Sequence, residues 1–466
     1  MIKRKLADIA AMAGGQLGNP GDADVLIEGV TTDSRRISPG CLFIPLAGER
    51  FDGHDFAKDC LQAGAGAVLW SKSRGEAPGP CVLVDDTLEA LQRLAKHYLA
   101  ASHARVVGIT GSNGKTTTKD LLYSLLATTF KVHKTQGNYN NHIGLPLTVL
   151  SMPEDTEIAV LEMGMSGRHE IELLSKLAEP EAAIVTNIGE AHLLQLGSRL
   201  EIARAKLEIL SGLREGGLFV YNGDEPLITQ VLEEPATAKP ANLKLSTFGI
   251  APDNADYPVG IMHLEDKTVF TSHALGDTPL ELPLPGEHNV VNALAALTVA
   301  RYFGVAAPAL AEGLKRVELT GMRIETVRGV SGITILNDAY NASPASVKAA
   351  IGVLEKKRGY RQKIAVLGDM LELGEDEVEY HREVGRFLDP GKTDLLFTYG
   401  KLGAAIAEGA AERLDKERIF SYQDKNELID ALISRLHPQD VLLVKASRGM
   451  KLEEVVDAVK SSSLHR

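Results

Sequence analysis

An apolar run, Arg105-Val-Val-Gly-Ile-Thr110, passes directly into Gly111-Ser-Asn-Gly114-Lys115-Thr116 and then into a helical pattern over 117–130. A buried strand that meets a glycine-rich loop and a helix N-terminus leaves few folds open. The N–H groups of the loop and the helix dipole then converge on one spot beyond the strand's carboxyl end. That spot suits phosphate oxygens, with Lys115 facing the β- and γ-phosphates and the Thr116 hydroxyl facing Mg²⁺. The register is a variant in which Gly108, Gly111 and Gly114 carry the turn and Ile109 stands where the strict P-loop pattern has glycine. The expected ligand is ATP or GTP, held by Gly111, Ser112, Asn113, Gly114, Lys115, Thr116 and Thr117.

Similar apolar runs recur at 158–163, 182–187, 333–338, 363–369, 395–400 and 441–445, each between helical patterns. Near-continuous Val/Ile/Leu strands alternating with helices belong to parallel sheets covered on both faces, so the fold class is α/β. The 466 residues have room for two to four domains. Three blocks are expected, cut at the polar stretch Ser102-His-Ala-Arg105 and at Thr320-Gly-Met-Arg323: 1–101, 102–319 and 320–466. The first holds short strands and a helix over 87–100, and the second closes with a helix over 290–303 and the segment 306–319.

With 62 acidic against 50 basic side chains the net charge is -12, which disfavours a protein built to hold a nucleic-acid backbone. No run approaches the roughly 18 apolar residues of a membrane span. The basic start, Met1-Ile-Lys-Arg-Lys, is followed by an apolar stretch interrupted at Asp8, which reads as a first helix rather than a signal peptide. Cys41, Cys60 and Cys81 are odd in number and lack a Cys-x-x-Cys, so neither a disulfide framework nor a zinc site is expected, and the cytoplasm is the simplest compartment.

Several residues lie where open parallel sheets place their ligands. Glu162 ends one strand, and a carboxylate entering a core there needs a cation or several donors to offset its desolvation. His192 follows the strand at 182–185; alone it is a loop or cap residue, and beside Glu162 and the glycine-rich loop it becomes a metal or phosphate contact. On a helix over 198–213, Lys206 falls at the centre of the face formed by Ile202, Ala203, Ile209, Leu210 and Leu213, with Arg204 and Glu208 opposite. It is either a lysine snorkelling at the core's rim or a desolvated amine able to react. Asn289 is either the N-cap of its helix or an amide that reads an adenine edge. Arg323 and Asp338 are either an ordinary ion-pair residue and turn residue or the means by which the third block closes over a nucleotide.

Taken together the motifs resemble the Mur ligases, the ATP-dependent amino-acid-adding enzymes of peptidoglycan synthesis. The matching segments are Thr32-Asp-Ser-Arg35, Pro39-Gly-Cys-Leu-Phe43 and Asp52-Gly-His54 in the first block. In the second they are 108–118, Asn138-Tyr-Asn-Asn141, Glu162-Met-Gly164, 186–192, Lys206 and 288–292. The third contributes Arg323, Asn337-Asp-Ala-Tyr-Asn-Ala-Ser-Pro344 and Lys445-Ala-Ser-Arg-Gly-Met450, where Ala446 replaces a glycine common in relatives. The run 337–344 is most similar to members that add D-alanyl-D-alanine to UDP-N-acetylmuramoyl-tripeptide. The Asp-Asn-Pro-Arg motif of the preceding enzyme is absent after the strand at 395–400.

The resemblance implies a small N-terminal α/β domain that binds the UDP substrate, a central P-loop-type ATPase domain and a C-terminal Rossmann-like domain. It implies an acyl-phosphate mechanism with Lys115, His192, Lys206 and Arg323 as catalytic residues. Asn289, Asn292, Arg323 and Asp338 would join the loop in holding ATP, and Ser34, Arg35, Asn138 and Asn141 would bind substrate. Two Mg²⁺ ions are implied, held by Thr116, Glu162, His192 and a carbamate on Lys206. The implied partners are the two small-molecule substrates and the implied state a monomer. A folylpolyglutamate synthetase shares such a core but not the Thr-Asp-Ser-Arg block. A nucleotide-dependent switch would instead end a strand in a Walker-B Asp, where this chain has Glu162-Met-Gly164.

Overall fold

A computed structural model describes residues 1–48, 51–264 and 267–464. The apolar runs form two six-stranded sheets. In the central sheet the strand order is Lys244–Phe248, Leu218–Asn222, Ala182–Val185, Arg105–Thr110, Ile158–Glu162 and Val132–Lys134, all parallel. From Arg105–Thr110 the chain goes to one edge, returns beside its starting strand through Ile158–Glu162, and then builds outward on the other side. The loops after these strands therefore diverge around one crevice. Register sets them level, since Glu162 pairs with Ile109 and Val185 with Thr110.

The third block repeats the layered design. Its order is Glu325–Arg328, Thr334–Asp338, Val441–Lys445, Lys363–Gly368, Leu395–Tyr399 and Ile419–Tyr422, parallel except at the first pairing. Both faces are sealed by separate apolar clusters, around Leu336, Ile351 and Leu443 on one side and Ile335, Val366 and Leu442 on the other. Alternate residues of one strand supply opposite faces, as a pleat requires. The first block holds a five-stranded sheet from Gln16–Leu17 to Val30–Thr31, and its three cysteines are free and buried. Among the described residues no helix is long and apolar enough to cross a membrane.

Several expected elements shift. The N-terminal stretch begins as a strand, Lys3–Lys5, paired with Leu26–Glu28, and only then becomes the helix Leu6–Ala13. The charged triplet stays at the surface while its backbone pairs with Glu28, Ile27 and Leu26. The helix expected over 198–213 is Arg199–Leu207, capped by Ser198 and continued by the 3₁₀ turn Glu208–Gly212. Gly212 explains the tightening: a Cβ there would lie 2.2 Å from the Ser175 backbone, so the chain must pass close to its neighbour. The helix after Pro285 runs Glu287–Tyr302 with Gly286 at its N-cap, so Asn289 is inside the first turn and is not the cap.

The two joints between blocks are built differently. The helix Thr87–Ser102 carries its apolar face across the first joint, and one cluster continues from Ile2, Leu6 and Leu94 to Val106, Leu145 and Ile171. Tyr98 donates its hydroxyl to Met152 O at 2.8 Å, and the amino terminus donates to the same carbonyl at 2.7 Å. This is a packed seam. Across the second joint the cores stay separate and the contacts are polar, among them Ser343 Oγ to Asn113 Oδ1 at 3.1 Å. Tyr98→Ala should therefore cost about 3–5 kcal/mol and destabilise the first two blocks together. Urea unfolding should show one shifted transition; a cost below about 1 kcal/mol would mean the seam does not carry load.

Candidate active site

The crevice deepens into a cavity of about 830 Å³ between the second and third blocks. Its floor is the glycine-rich loop. Gly111 and Gly114 adopt φ of +144° and +81°; a Cβ would come within 1.8 Å of Thr186 Oγ1 at the first and 2.5 Å of Asn292 Oδ1 at the second. Only glycine fits either place. The loop is laced from one side: Thr186 Oγ1 donates to Asn113 O at 2.6 Å, Asn113 N to Asn187 Oδ1 at 2.9 Å, and Gly189 N to Ser112 Oγ at 2.8 Å. The helix Lys115–Leu126 starts at Gly114 with no side chain capping it, so its first N–H groups face the cavity.

Charge at the floor is lopsided. Lys115 Nζ donates to Gly111 O at 2.8 Å; burial pushes its ammonium below the ordinary lysine value, Glu162 opposing and Arg323 adding to the effect. Lys206 is buried and has no hydrogen bond or ion pair among the described residues. Burial and the nearby Lys115 hold its amine well below the usual range. Arg323 stacks 4.4 Å over the Tyr340 ring and leaves Nε without a partner. Beside Lys115 lies Glu162, whose oxygens accept Thr116 Oγ1 and Asn140 Nδ2, each at 2.8 Å.

His192, at φ +71°, heads the short helix Leu193–Leu196 and also lines the same cavity. Its Nδ1 lies 2.8 Å from Glu372 Oε2, out of line for a hydrogen bond, and Leu194 N donates to Glu372 O at 3.3 Å. Burial lowers the His192 pKa, Lys206 and Lys115 lower it further, and Glu372 opposes. On the opposite wall Asp338 pairs with Lys445 at 2.6 Å, as their direct register demands. Burial raises the Asp338 pKa against the pull of Lys445 and Arg323.

The structure thus brings together Ser112, Asn113, Gly114, Lys115, Thr116, Thr117, Glu162, His192, Lys206, Asn289, Asn292, Arg323 and Asp338, with Gly111 beneath them. Asn138 and Asn141 also reach the cavity, although Asn141 Oδ1 is taken by the N–H groups of Ile143 and Gly144. Ser34 and Arg35 do not line it; Arg35 pairs with Asp33 on the first block. Sequence reasoning passed over Asn140, which sits inside a recognised motif, and Tyr340, Lys445 and Glu372. Nothing in the sequence singles out Glu372.

Thr116 and Glu162 are hard oxygen donors of the kind Mg²⁺ takes, and they fit it. Among the described residues no three His, Cys, Asp or Glu side chains converge into a preformed metal nest. Further ligands would come from phosphate oxygens, from His192 or from a modified Lys206.

A doubly wound nucleotide-type crevice, closed from above by a second α/β block, is the arrangement of an ATP-dependent ligase. Three family models match: the Mur ligase middle domain over residues 109–300, the Mur ligase glutamate ligase domain over 322–448 and the Mur ligase family catalytic domain over 26–99. The UDP-N-acetylmuramoyl-tripeptide–D-alanyl-D-alanine ligase of Bacillus subtilis is 51% identical over the full length of both chains. MurF of Acinetobacter baumannii has a TM-score of 0.88 at 28% identity, covering 99% of each chain. MurF of Thermotoga maritima in complex with ADP has a TM-score of 0.80 at 30% identity, covering 93% of this chain and 97% of that one. The chain belongs to the Mur ligase family.

His288, half-buried on the cavity wall, gives the site a pH signature. Burial, with Lys445 and Lys356 nearby, lowers its pKa to about 4. The unfolded imidazole takes its proton near 6.5, so between these values the unfolded chain binds more protons and stability falls as pH falls. The stability lost between pH 6.5 and 4 should be smaller in His288→Gln by about 1–3 kcal/mol. Urea midpoints across that range test this, and parallel losses in the two proteins would contradict it.

Proposed function

We propose that the chain is the ATP-dependent ligase that joins D-alanyl-D-alanine to UDP-N-acetylmuramoyl-tripeptide in peptidoglycan precursor synthesis. The observation that carries this reading is a cleft that gathers Lys115, Lys206 and Arg323 beside an uncapped helix start, combined with full-length likeness to a ligase of that name. The terminal carboxylate of the tripeptide attacks the γ-phosphorus of ATP, ADP leaves, and an acyl phosphate forms. The amine of D-alanyl-D-alanine attacks the acyl carbon, and inorganic phosphate leaves with one carboxylate oxygen as the peptide bond closes. Negative groups must approach one another twice, and that approach is what Lys115 and Arg323 make affordable.

The blocks 1–101, 102–319 and 320–466 serve as UDP-substrate, ATP and ligase domains. Gly111 to Thr117 cradle the phosphates, Asn289 and Asn292 face the adenine, and Asp338 and Arg323 reach the nucleotide from the third block. Ser34 and Arg35 bind the UDP moiety outside the cavity, and Asn138 and Asn141 contact substrate nearer the floor. Thr116, Glu162, His192 and Lys206 would hold magnesium, which when bound screens the charge that builds up during phosphoryl transfer. The enzyme acts as a cytoplasmic monomer.

Lys206 is read as the site of a carbamate. A buried amine with no partner and a cationic neighbour is neutral more readily than a surface lysine, which is the form CO₂ requires. ¹³C NMR after incubation with labelled bicarbonate should show one carbamate signal that disappears in Lys206→Ala. Lys206→Arg should be inactive, since arginine keeps its charge. Absence of the signal with full activity of Lys206→Arg would return Lys206 to the snorkelling class. For the reaction itself, phosphate release from ATP should require both the UDP-tripeptide and D-alanyl-D-alanine. Equal release with ATP alone would favour a nucleotide switch.

A further inference from the structure

The helix that begins at the glycine-rich loop carries two charged side chains to which the ligation reading gives no task. Lys119 is 0% exposed and Asp120 1% exposed. Lys119 Nζ lies 3.4 Å from Asp120 Oδ1. Burial of adjacent charges is costly unless geometry and further hydrogen bonds repay it, so what these groups bind is informative. Asp120 Oδ1 accepts Lys134 Nζ at 2.7 Å, and Asp120 Oδ2 accepts the backbone N–H of Thr320 at 2.8 Å. Lys119 Nζ donates to Thr320 Oγ1 at 3.4 Å. Two buried charges on the nucleotide-loop helix thus hold one residue some 200 positions away, at the start of the second joint.

Beyond Thr320 the backbone changes character. Met322 and Ile324 adopt φ of +62° and +53°. A β-branched residue seldom enters the left-handed region, and it persists there only where its surroundings over-determine it. Arg323 lies between these two. Asp338 receives Ile324 N at 3.3 Å, so the far end of the strained stretch belongs to the third block as firmly as Thr320 belongs to the second.

We propose that Lys119 and Asp120 are positioning residues: they clamp the chain at Thr320, confine the pivot of the third block to residues 321–324, and so set the arc along which Arg323 reaches the nucleotide. Thr116 and Asp120 stand four residues apart on one helix, hence on one face. The clamp therefore references the pivot to the phosphate end of the site. Lys134, from the neighbouring strand Val132–Lys134, fixes Asp120 from the other side. The inference rests on the ligation reading in one respect only, the role of Arg323.

The test uses the full chain. Thr320→Pro removes the backbone N–H that Asp120 accepts, together with the hydroxyl that Lys119 reaches, and leaves both buried charges in place, while Asp120→Asn keeps an acceptor oxygen for that N–H. Thr320→Pro should lower kcat about fivefold or more with KM for ATP within about threefold, while Asp120→Asn keeps kcat within about threefold of the parent. A smaller fall for Thr320→Pro, or Asp120→Asn falling as far, overturns the clamp. Amide hydrogen exchange supplies a readout independent of turnover. In the parent, Thr320 N–H should exchange slowly with or without a non-hydrolysable ATP analogue, while amides 321–324 change protection when it is added. Rapid exchange at Thr320 would overturn the clamp even in a preparation with no ligase activity, whereas slow exchange without activity would leave the clamp standing and count against the ligation reading.

Discussion

Concentrated positive charge at the floor of one crevice is the constraint on which the molecule turns. Lys115, Lys206 and Arg323 gather in a cavity shared with Glu162, a carboxylate that accepts from the neutral donors Thr116 and Asn140. Without a ligand this arrangement is unfavourable: burial lowers the pKa of both lysines, and each cation worsens the position of its neighbour. The cost is recovered when an anion enters, and a polyphosphate beside a carboxylate is the ligand with enough charge to do so. The parallel sheet, the level carboxyl ends of its strands and the uncapped helix start are what make such a concentration possible in a chain of net charge -12.

The two joints divide the work of supporting that site. The first is apolar and continuous with the central core, so the N-terminal block and the central block form one body around Tyr98 and Leu145. The second is polar and strained, with Met322 and Ile324 at positive φ and no shared core behind them. Polar contacts can be exchanged for contacts with a ligand at little cost, whereas an apolar seam cannot be opened without exposing its area. The pivot proposed for the third block accordingly falls at the second joint.

What the sequence disclosed follows from range. Strands such as Arg105–Thr110 and Val441–Lys445 were legible to the residue because a run buried on both faces needs no information from elsewhere. The glycine-rich loop was legible because the positive φ of Gly111 and Gly114 leaves so few alternatives. Lys206 was found by helical arithmetic even though its helix ends at Leu207, since the burial of a side chain depends on its own turn more than on the next. Illegible were the pairings between distant segments. Asn140 with Glu162, Glu372 with His192, and Asp120 with Thr320 join residues 22, 180 and 200 positions apart. No periodicity or local propensity records such choices.

The central claim is that the cleft assembles an acyl phosphate from a substrate carboxylate and the γ-phosphate of ATP. Isotope transfer tests it most directly. UDP-N-acetylmuramoyl-tripeptide labelled with ¹⁸O in its terminal carboxylate is turned over with ATP and D-alanyl-D-alanine, and the released phosphate is analysed by mass spectrometry. The account predicts one ¹⁸O atom in each phosphate released, carried from the carboxylate through the acyl phosphate. Phosphate free of label, with peptide bond formation proceeding at the normal rate, would contradict it.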